Sequence, residues 1–445
     1  MNNKVRTIVL FFLITIFLDQ SYAIPAFARK YKTSCATCHV GYPKLTPYGE
    51  AYRLLGFQLP EVEEESIKEE PVSMGSEGYK RVWPKAIWPG TIPGTSPISF
   101  RVRSGFSYSS ADPEENTGFT SPSLQIMTGG TFSENISFLV GAHLFEGGEA
   151  GSVDRLYLKF DHLFSNVLPY NALYVRVGQF VPDIVTFITN HRSLTQSPYA
   201  FNTIGPNDES FAAGHAHGAT SFGVELFQLG AEASGILAKR FRYVLGMVNG
   251  NGVAGENNAD KDVYYKLGYK AGGMAFDGSS AGDIYGNSAN NWAEKSVTIS
   301  TFGYFGTGSL PPEDDPVDAH KVLYRTQSIT SEGHSDTGNF NFRRLGADVN
   351  IFLRDLNLFG GYINGFDSDE NYSLYFAEAN YMIFPWLIGV VRYEQSNPEN
   401  LDSFSQVIAH VTALYTANIK LIIESRINPE DPGLNNLVMG LDYAF

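Results

Sequence analysis

Residues 437–445, at the end of the chain, read LVMGLDYAF and alternate between two kinds of side chain. A period of two is typical of a β-strand whose two faces meet different surroundings. One face mixes Val438 with the small or charged residues Gly440, Asp442 and Ala444. The other face is large and apolar, and it consists of Leu437, Met439, Leu441, Tyr443 and Phe445.

The same alternation recurs from Ile98 onward, in short segments separated by turn-rich stretches. One face of each segment is apolar and the other is charged or small. This pattern suits a soluble sandwich with an apolar core, or an outer-membrane barrel with an apolar surface toward lipid. The clearest examples are Ile98, Phe100 and Val102 against Arg101 and Arg103, Leu156 and Leu158 against Arg155 and Lys159, Val175 and Val177 against Arg176, Leu345, Val349 and Ile351 against Arg344 and Asp348, and Ile419, Leu421 and Ile423 against Lys420 and Glu424.

The first 23 residues predict export from the cytoplasm. Lys4 and Arg6 precede an apolar stretch, and Ser21 and Ala23 suit a cleavage site, as in a secretory signal peptide. The apolar stretch has about 11 residues, whereas a membrane-spanning helix needs about 20. We therefore expect residues 1–23 to be a signal peptide that leads the chain into the cell envelope.

Several features favour the barrel over the sandwich. The alternating segments have about 10 to 13 residues, near the 9–11 that a strand needs to cross a bilayer. The last strand, which ends on Phe445, resembles the assembly signal of bacterial outer-membrane barrels. We predict an all-β fold, a transmembrane porin-like barrel of about 16 antiparallel strands in the outer membrane, in contact with its lipid. Aromatic residues recur at segment ends, as in the girdles of such barrels, at Tyr170, Phe180, Tyr362, Tyr372, Phe384 and Trp386.

Composition excludes other classes of protein. The 445 residues carry a net charge of −15, and 43% of them are hydrophobic, which argues against a disordered chain. The acidic balance argues against nucleic acid as a partner, because phosphate contacts need clustered Lys and Arg. The chain has 2 Cys, too few for a disulfide framework.

Both cysteines lie in Cys35-Ala36-Thr37-Cys38-His39, which matches C-x-x-C-H, the attachment motif of c-type heme. The two thiols can add to the vinyl groups of one porphyrin, and His39 can then serve as the axial iron ligand. A zinc half-site would need further Cys or His nearby, and a thioredoxin-like pair would need a βαβ unit. We predict one covalent heme c, bound by Cys35 and Cys38 with His39 on the iron, over a zinc site, a redox pair or a disulfide.

The sixth ligand of that iron is not indicated by the sequence. Met74 is the nearest candidate, since an axial Met raises the reduction potential, although an ordinary loop Met is the simpler interpretation. His191, His215 and His217 are other candidates, in a predicted loop. A metal pair at His215 and His217 lacks an assignable carboxylate, so a polar loop is favoured there.

Residues 24–57 read IPAFARKYKTSCATCHVGYPKLTPYGEAYRLLGF. This segment resembles the N-terminal cytochrome segment of the fused outer-membrane cytochrome–porins, a group that includes iron-oxidising cytochromes. The resemblance implies a heme-bearing plug inside the barrel and, by analogy with some members, Fe²⁺ as a donor. The shared features are Phe27-Ala28-Arg29, Pro43 with Leu45, Pro47-Tyr48-Gly49 and Gly56-Phe57.

The predicted organisation has four parts: a signal peptide at 1–23, a heme segment at 24–75, a connector at 76–97 and the barrel at 98–445. Residues 61–70 read EVEEESIKEE. A solvated linker is the simpler interpretation of this run, and an acidic patch that attracts Fe²⁺ or a basic cytochrome is the alternative. Four prolines between 84 and 97 indicate an extended connector.

These elements together predict one-electron transfer across the outer membrane through a heme insulated by the barrel. The partners would be a periplasmic c-type cytochrome or other electron carrier, and an extracellular donor or acceptor such as Fe²⁺. Whether the protein is an Fe²⁺ oxidase stays open. Arg101, Arg155 and Arg176 would tune the heme or bind the acidic linker, or simply solvate the lumen. The alternatives are a diffusion porin with a heme-bearing periplasmic appendage or redox sensor, and a soluble periplasmic β-protein.

Overall fold

The structure, a computed structural model, describes residues 26–30, 33–60, 98–109, 117–133, 135–186, 193–197, 199–200, 227–250, 252, 259–279, 294–309, 339–367, 370–399, 403–430 and 435–445. The predicted signal peptide, the acidic run at 61–70 and the Pro-rich connector lie outside these residues.

The N-terminal segment is short and mixed. It contains helix α1 (Ala26–Lys30), a 3₁₀ turn (Cys35–Thr37), the antiparallel pair β1 (His39–Gly41) and β2 (Lys44–Leu45), and helix α2 (Pro47–Leu54). The side chain of Thr46 accepts a hydrogen bond from the Gly49 amide at 3.0 Å, and Pro47 follows it, so the sequence itself starts α2. No helix among the described residues is long and apolar enough to cross a membrane.

Residues from Ile98 onward form a closed barrel of sixteen antiparallel strands, as predicted. The two-residue β6 and the longer β7 both pair with β5, so they count as one strand of the barrel. The barrel is closed by pairing of β19 with β3. The strands are β3 (Ile98–Ser109), β4 (Thr117–Ser133), β5 (Ile136–Glu146), β6 (Glu149–Ala150), β7 (Val153–Phe160), β8 (Tyr174–Phe180), β9 (Gln228–Leu237), β10 (Phe241–Val248), β11 (Asp262–Gly272), β12 (Lys295–Ser309), β13 (Asn339–Leu353), β14 (Leu356–Asp367), β15 (Glu370–Phe384), β16 (Leu387–Pro398), β17 (Phe404–Thr416), β18 (Ile419–Ile427) and β19 (Asn436–Ala444).

The predicted alternation of faces is confirmed. Leu156 is 54% exposed on the outer face of β7, whereas Arg344 of β13 is fully buried on the lumen side. On β18, Ile423 is exposed and its neighbour Glu424 is buried. The apolar surface therefore faces outward, where lipid replaces water in an outer-membrane barrel.

Two loops are shorter than the sequence predicts. The stretches 113–124 and 307–340 belong to a set rich in Gly, Asn, Asp and Ser that predicts loops, yet β4 begins at Thr117 and β12 continues to Ser309. Pairing explains the difference, because Thr117 lies opposite Tyr108 and Ser309 opposite Asn339. A ladder of hydrogen bonds to a neighbouring strand outweighs weak local β-propensity.

The barrel has two unlike rims. Ile98, Phe445 and the tight turns at 354–355, 385–386 and 417–418 lie at one rim. Short turns mark the periplasmic side of such barrels, and longer loops mark the extracellular side. We therefore assign this rim to the periplasm and the opposite rim, which carries the long connection after β8, to the outside.

Two segments enter the lumen. One consists of residues 26–60, hereafter the plug. The other follows β8 and is described at 181–186, 193–197 and 199–200, hereafter the inward loop. The plug rests on lumen-facing residues of distant strands, as Val40 packs with Phe352 of β13 and Ile388 and Val390 of β16. The N-terminal segment is therefore inside the barrel rather than appended to it.

Buried polar contacts hold the plug in place. Lys159 of β7 donates to the carbonyl oxygen of Leu54 at 2.6 Å, at the end of α2, and lies 3.2 Å from Asp161. Arg53 lies 3.2 Å from Asp183 of the inward loop, so the two lumen segments also contact each other.

Gly56 fits closely beneath these contacts. Its φ of +73° is a left-handed conformation that glycine adopts without strain, and an added Cβ would meet the Asp161 carboxylate at 2.3 Å.

We expect Lys159→Met to loosen the plug. The change removes the donor to the end of α2 and leaves Asp161 buried beside an apolar side chain, so it should cost about 1–3 kcal/mol of docking free energy. Faster amide hydrogen exchange at 47–57 would measure this. Lys239→Met, at an exposed turn residue, is the control, and equal exchange in both variants would contradict the assignment.

The outer part of the lumen is apolar, which differs from the polar lumen expected from the strand pattern. Ile184, Val185 and Tyr199 of the inward loop pack with buried residues of the wall. Burying this loop removes apolar surface from water, which makes an aromatic lumen lining favourable here. The wall residues are Phe180, Val244, Val248, Tyr264, Phe302, Tyr304, Phe342, Phe359, Ile363, Tyr372, Leu374 and Phe376.

Candidate functional site

A cavity of about 250 Å³ lies between the plug and the barrel wall. It extends from Asn418, in a periplasmic turn, to Phe180 and Val181, where β8 ends and the chain turns into the lumen. Cys35, Cys38 and His39 all line it. The cavity therefore brings together the three residues that the motif predicts as one site.

The 3₁₀ turn holds the two cysteines on one side of the chain. Ser34 caps it by accepting from the amide of Ala36 at 3.2 Å. Thr46 then ties the turn to α2, because its hydroxyl donates to the Thr37 carbonyl oxygen at 3.1 Å and its amide donates to that of Cys38 at 2.9 Å.

Helix α2 approaches the motif so closely that only glycine fits at position 49. A Cβ on Gly49 would lie 2.1 Å from the Cys38 carbonyl oxygen. This close approach explains why the third residue of Pro47-Tyr48-Gly49 is a glycine. We expect any larger residue at 49 to displace α2 from Cys38.

The surroundings of His39 favour a neutral imidazole. Burial lowers the pKa of its imidazole to about 4, so the ring is uncharged at neutral pH. Its Nδ1 lies 3.3 Å from the carbonyl oxygen of Pro43, and an acceptor there requires Nδ1 to carry the proton. The lone pair is then on Nε2, as an axial metal ligand requires.

The two cysteines are unpaired thiols rather than a disulfide. Burial raises the pKa of Cys35, and burial together with the neighbouring Cys35 raises the pKa of Cys38 to about 12. This direction is opposite to the lowered thiol pKa that is typical of a thioredoxin-like pair. No group of three or more His, Cys, Asp or Glu side chains in the described part of the chain could hold a metal ion.

Aromatic rings form one wall of the cavity. Phe27 stacks on Phe57 with ring centroids 5.3 Å apart, and it meets the edge of Tyr52 at 5.4 Å. Phe27 and Phe57 belong to the motif-flanking pattern, and all three residues line the cavity. They provide the flat apolar surface that a planar cofactor needs.

The barrel supplies cations to the same cavity. The three lumen arginines singled out from the strand pattern, Arg101, Arg155 and Arg176, all line it. Arg101 is held by Asp442, with bonds of 3.0 and 2.6 Å, and Arg176 by Glu232 at 2.7 Å.

Two of these guanidinium groups keep buried nitrogens free of hydrogen bonds. They are Nη2 of Arg155, which lies 3.6 Å from the Asp154 carboxylate, and Nε of Arg176. Such donors can receive carboxylates of a bound molecule.

Sequence reasoning missed residues that the wall brings to the cavity. Met127 of β4 and Tyr157 of β7 line it, although neither is near the motif in sequence. Their local signal is only the period of two, which places them on the lumen face. Met74, His191, His215 and His217, the predicted candidates for the sixth ligand, lie outside the described residues.

Comparisons with known proteins bear on the barrel. No protein-family profile and no curated protein sequence matches the chain. An anion-selective porin from Comamonas acidovorans superposes with a TM-score of 0.51 at 10% identity, covering 78% of this chain and 98% of that one. OprB of Pseudomonas putida gives 0.48 at 11% identity, covering 78% and 93%, and OmpF of Salmonella typhi gives 0.47 at 9%, covering 78% and 97%.

Fold and comparison together define the class of protein. The likeness to the Comamonas porin is one of fold alone, at 10% identity. Sixteen antiparallel strands, closed on themselves with an apolar outer face, form a porin-like β-barrel of the outer membrane. The resemblance of residues 24–57 to cytochrome–porins stays a prediction.

Proposed function

We propose that this protein carries single electrons across the outer membrane through one c-type heme, attached at Cys35 and Cys38 with His39 on its iron. The observation that supports the proposal is that both thiols and the imidazole line one cavity inside the barrel. The plug and the described part of the inward loop both pack inside the barrel, which suits a sleeve better than a wide channel.

The residues around the cavity fit such a group. Thiols on one short turn suit two thioether bonds, and a neutral imidazole that carries its proton on Nδ1 suits binding to iron through Nε2. The rings of Phe27, Tyr52 and Phe57 suit a planar apolar macrocycle. Arg155 and Arg176 offer donors for two propionates. The bound heme would supply the one-electron change between ferrous and ferric iron.

The barrel would act as an insulating sleeve. The cavity reaches Asn418 at the periplasmic rim, where a soluble cytochrome or other carrier could approach. The aromatic cluster of the outer lumen, which includes Phe180, would limit water between the cavity and the outer rim. An extracellular donor such as Fe²⁺, suggested by the resemblance, would deliver electrons from outside, and an acceptor would reverse the flow.

Sealed vesicles test this proposal. Vesicles that contain the purified protein and enclose an oxidised c-type cytochrome are mixed with external Fe²⁺. We expect the enclosed cytochrome to become reduced, whereas empty vesicles stay oxidised. If the enclosed cytochrome stays oxidised while dithionite still reduces the protein's own heme, Fe²⁺ is excluded as the donor. If external dyes of lower potential also fail, transmembrane transfer is excluded.

A diffusion porin is the second candidate. The comparisons concern the barrel alone and accord with a channel at least as well as with electron transfer. A crevice of about 50 Å³ beside α2 includes the cations Arg242, Lys266 and Lys270 in its lining. Conductance in planar bilayers separates the candidates, because an open pore should conduct at the level of porins and a sealed sleeve near the baseline.

A further inference from the structure

We infer that the connection between β7 and β8 inserts its apolar side chains into the periplasmic leaflet of the outer membrane. The inserted part consists of residues 163–170, hereafter the anchor turn. Its partner is the phospholipid acyl chain, rather than a periplasmic protein. The inference concerns the barrel and does not depend on the proposed heme.

The anchor turn brings exposed apolar side chains together. The amides of Val167 and Leu168 both donate to the carbonyl oxygen of Phe164, at 2.9 and 2.8 Å, so the chain makes one tight turn here. Phe164 is 65% exposed and Val167 is 80% exposed, and Leu168 is exposed beside them. Exposed apolar side chains grouped in this way mark a surface that contacts a membrane or another protein.

The exposure is fixed by the fold. The amide of Leu163 donates to the carbonyl oxygen of Leu173 at 2.9 Å and closes the base of the connection. The hydroxyl of Tyr174 donates to Oδ1 of Asn171 at 2.7 Å. These bonds hold the two ends of the connection, and the apolar side chains between them remain on the surface.

The connection lies against the lipid-facing side of the barrel. Tyr243 belongs to the outer face of β10, and its hydroxyl donates to the carbonyl oxygen of Ala172 at 2.7 Å. Leu245 and Met247 follow on the same face of β10, and both are exposed. The anchor turn therefore continues the apolar surface of the barrel at its periplasmic end.

Strand length gives this continuation a physical purpose. β8 has 7 residues, whereas a strand needs about 9–11 to cross a bilayer. The chain after Phe180 turns into the lumen, so it cannot extend the lipid-facing side of β8. The residues before Tyr174 stay outside and can cover the hydrocarbon that β8 leaves uncovered.

The absence of charge favours lipid over a protein partner. Residues 163–173 contain no Lys, Arg, Asp or Glu. Other turns at the same rim carry exposed charges, at Lys239 and Arg354. A soluble carrier would be guided to its site by complementary charge, which the anchor turn does not offer. Acyl chains need no charge, because apolar contact alone stabilises insertion.

Photo-cross-linking tests the inference. The photoreactive residue p-benzoylphenylalanine replaces Val167 in the full-length protein, or replaces Lys239 at the same rim as the matched control. Each purified variant is irradiated in vesicles of phosphatidylethanolamine and phosphatidylglycerol. We expect mass spectrometry to find acyl-chain adducts several-fold more often at position 167 than at position 239. Irradiation of intact cells should give no protein adduct as the main product at position 167.

Two results would overturn the inference. Acyl-chain adducts that are no more frequent at position 167 than at position 239 would place the anchor turn in water. A protein adduct as the main product in cells would show that the turn binds a periplasmic protein instead. If the variant at position 167 does not assemble as a barrel, the same probe in place of Tyr170, which is 60% exposed, provides the second test against the same control.

Discussion

Replacing both motif cysteines, in a Cys35→Ala/Cys38→Ala variant, should remove covalent heme completely and reduce electron transfer across vesicle membranes to that of empty vesicles. The physical reason is that thioether bonds are the only covalent attachment, and the chain has no other cysteine. The measurement is heme absorbance that stays with the chain after full unfolding and removal of free heme.

The variant should still assemble as a barrel. The contacts that seat the plug involve Lys44, Arg53 and Lys159 rather than the thiols. Ala36→Ser, at the exposed position between the cysteines, keeps the motif and is the matched control. Covalent heme that survives the double replacement would refute the attachment site. Equal loss in Ala36→Ser would indicate a maturation defect instead.

The second large effect is expected at Arg392 of β16. Its guanidinium is fully buried, lies 3.2 Å from Glu394 and 3.6 Å from Glu378, and donates at 2.9 Å to both Thr195 and Ser197 of the inward loop. Arg392→Met leaves two carboxylates buried without this cation. Breaking a buried ion pair in this way costs about 3–5 kcal/mol.

We expect that cost to appear as release of the inward loop from the wall. Protease cleavage and hydrogen exchange at 193–200 should increase, and ion conductance should rise from the baseline, since this loop helps to fill the lumen. Arg343→Met is the control, because Arg343 is exposed on the outer face of β13. Unchanged exchange at 193–200 in Arg392→Met would show that the loop is held by its apolar contacts alone.

The outer half of the lumen depends on similar buried pairs. Tyr199 donates to Glu378 at 2.7 Å, Tyr264 to Glu232 at 2.8 Å, and Tyr304 to Asp262 at 2.6 Å. Each phenol adds a hydrogen bond to a buried carboxylate that has further partners, such as Arg392 at Glu378 and Arg176 at Glu232. The rings of the aromatic cluster are therefore packed in apolar surroundings, while the tyrosine hydroxyls form hydrogen bonds to carboxylates. The cluster is thus compatible with the charged side chains of the wall.

Much of the barrel was predictable because its signals are local. A strand exposes alternate residues to lipid and lumen, so Leu156 with Lys159, or Ile423 with Glu424, shows its two faces within a few positions. Strand ends were less predictable. Thr117 and Ser309 lie in stretches whose composition predicts a loop, and they belong to strands only because a neighbouring strand pairs with them.

The sequence by itself determined the period-two pattern of the barrel and the C-x-x-C-H spacing, since both are written in neighbouring residues. Only the tertiary structure decided what surrounds the motif. Tyr42 meets Met127 across 85 positions, and Arg101 meets Asp442 across 341. Closure of the barrel around the plug brings these pairs together. Burial then strengthens each contact, because a polar or charged group that has lost its water depends on a hydrogen-bond or ionic partner within the protein.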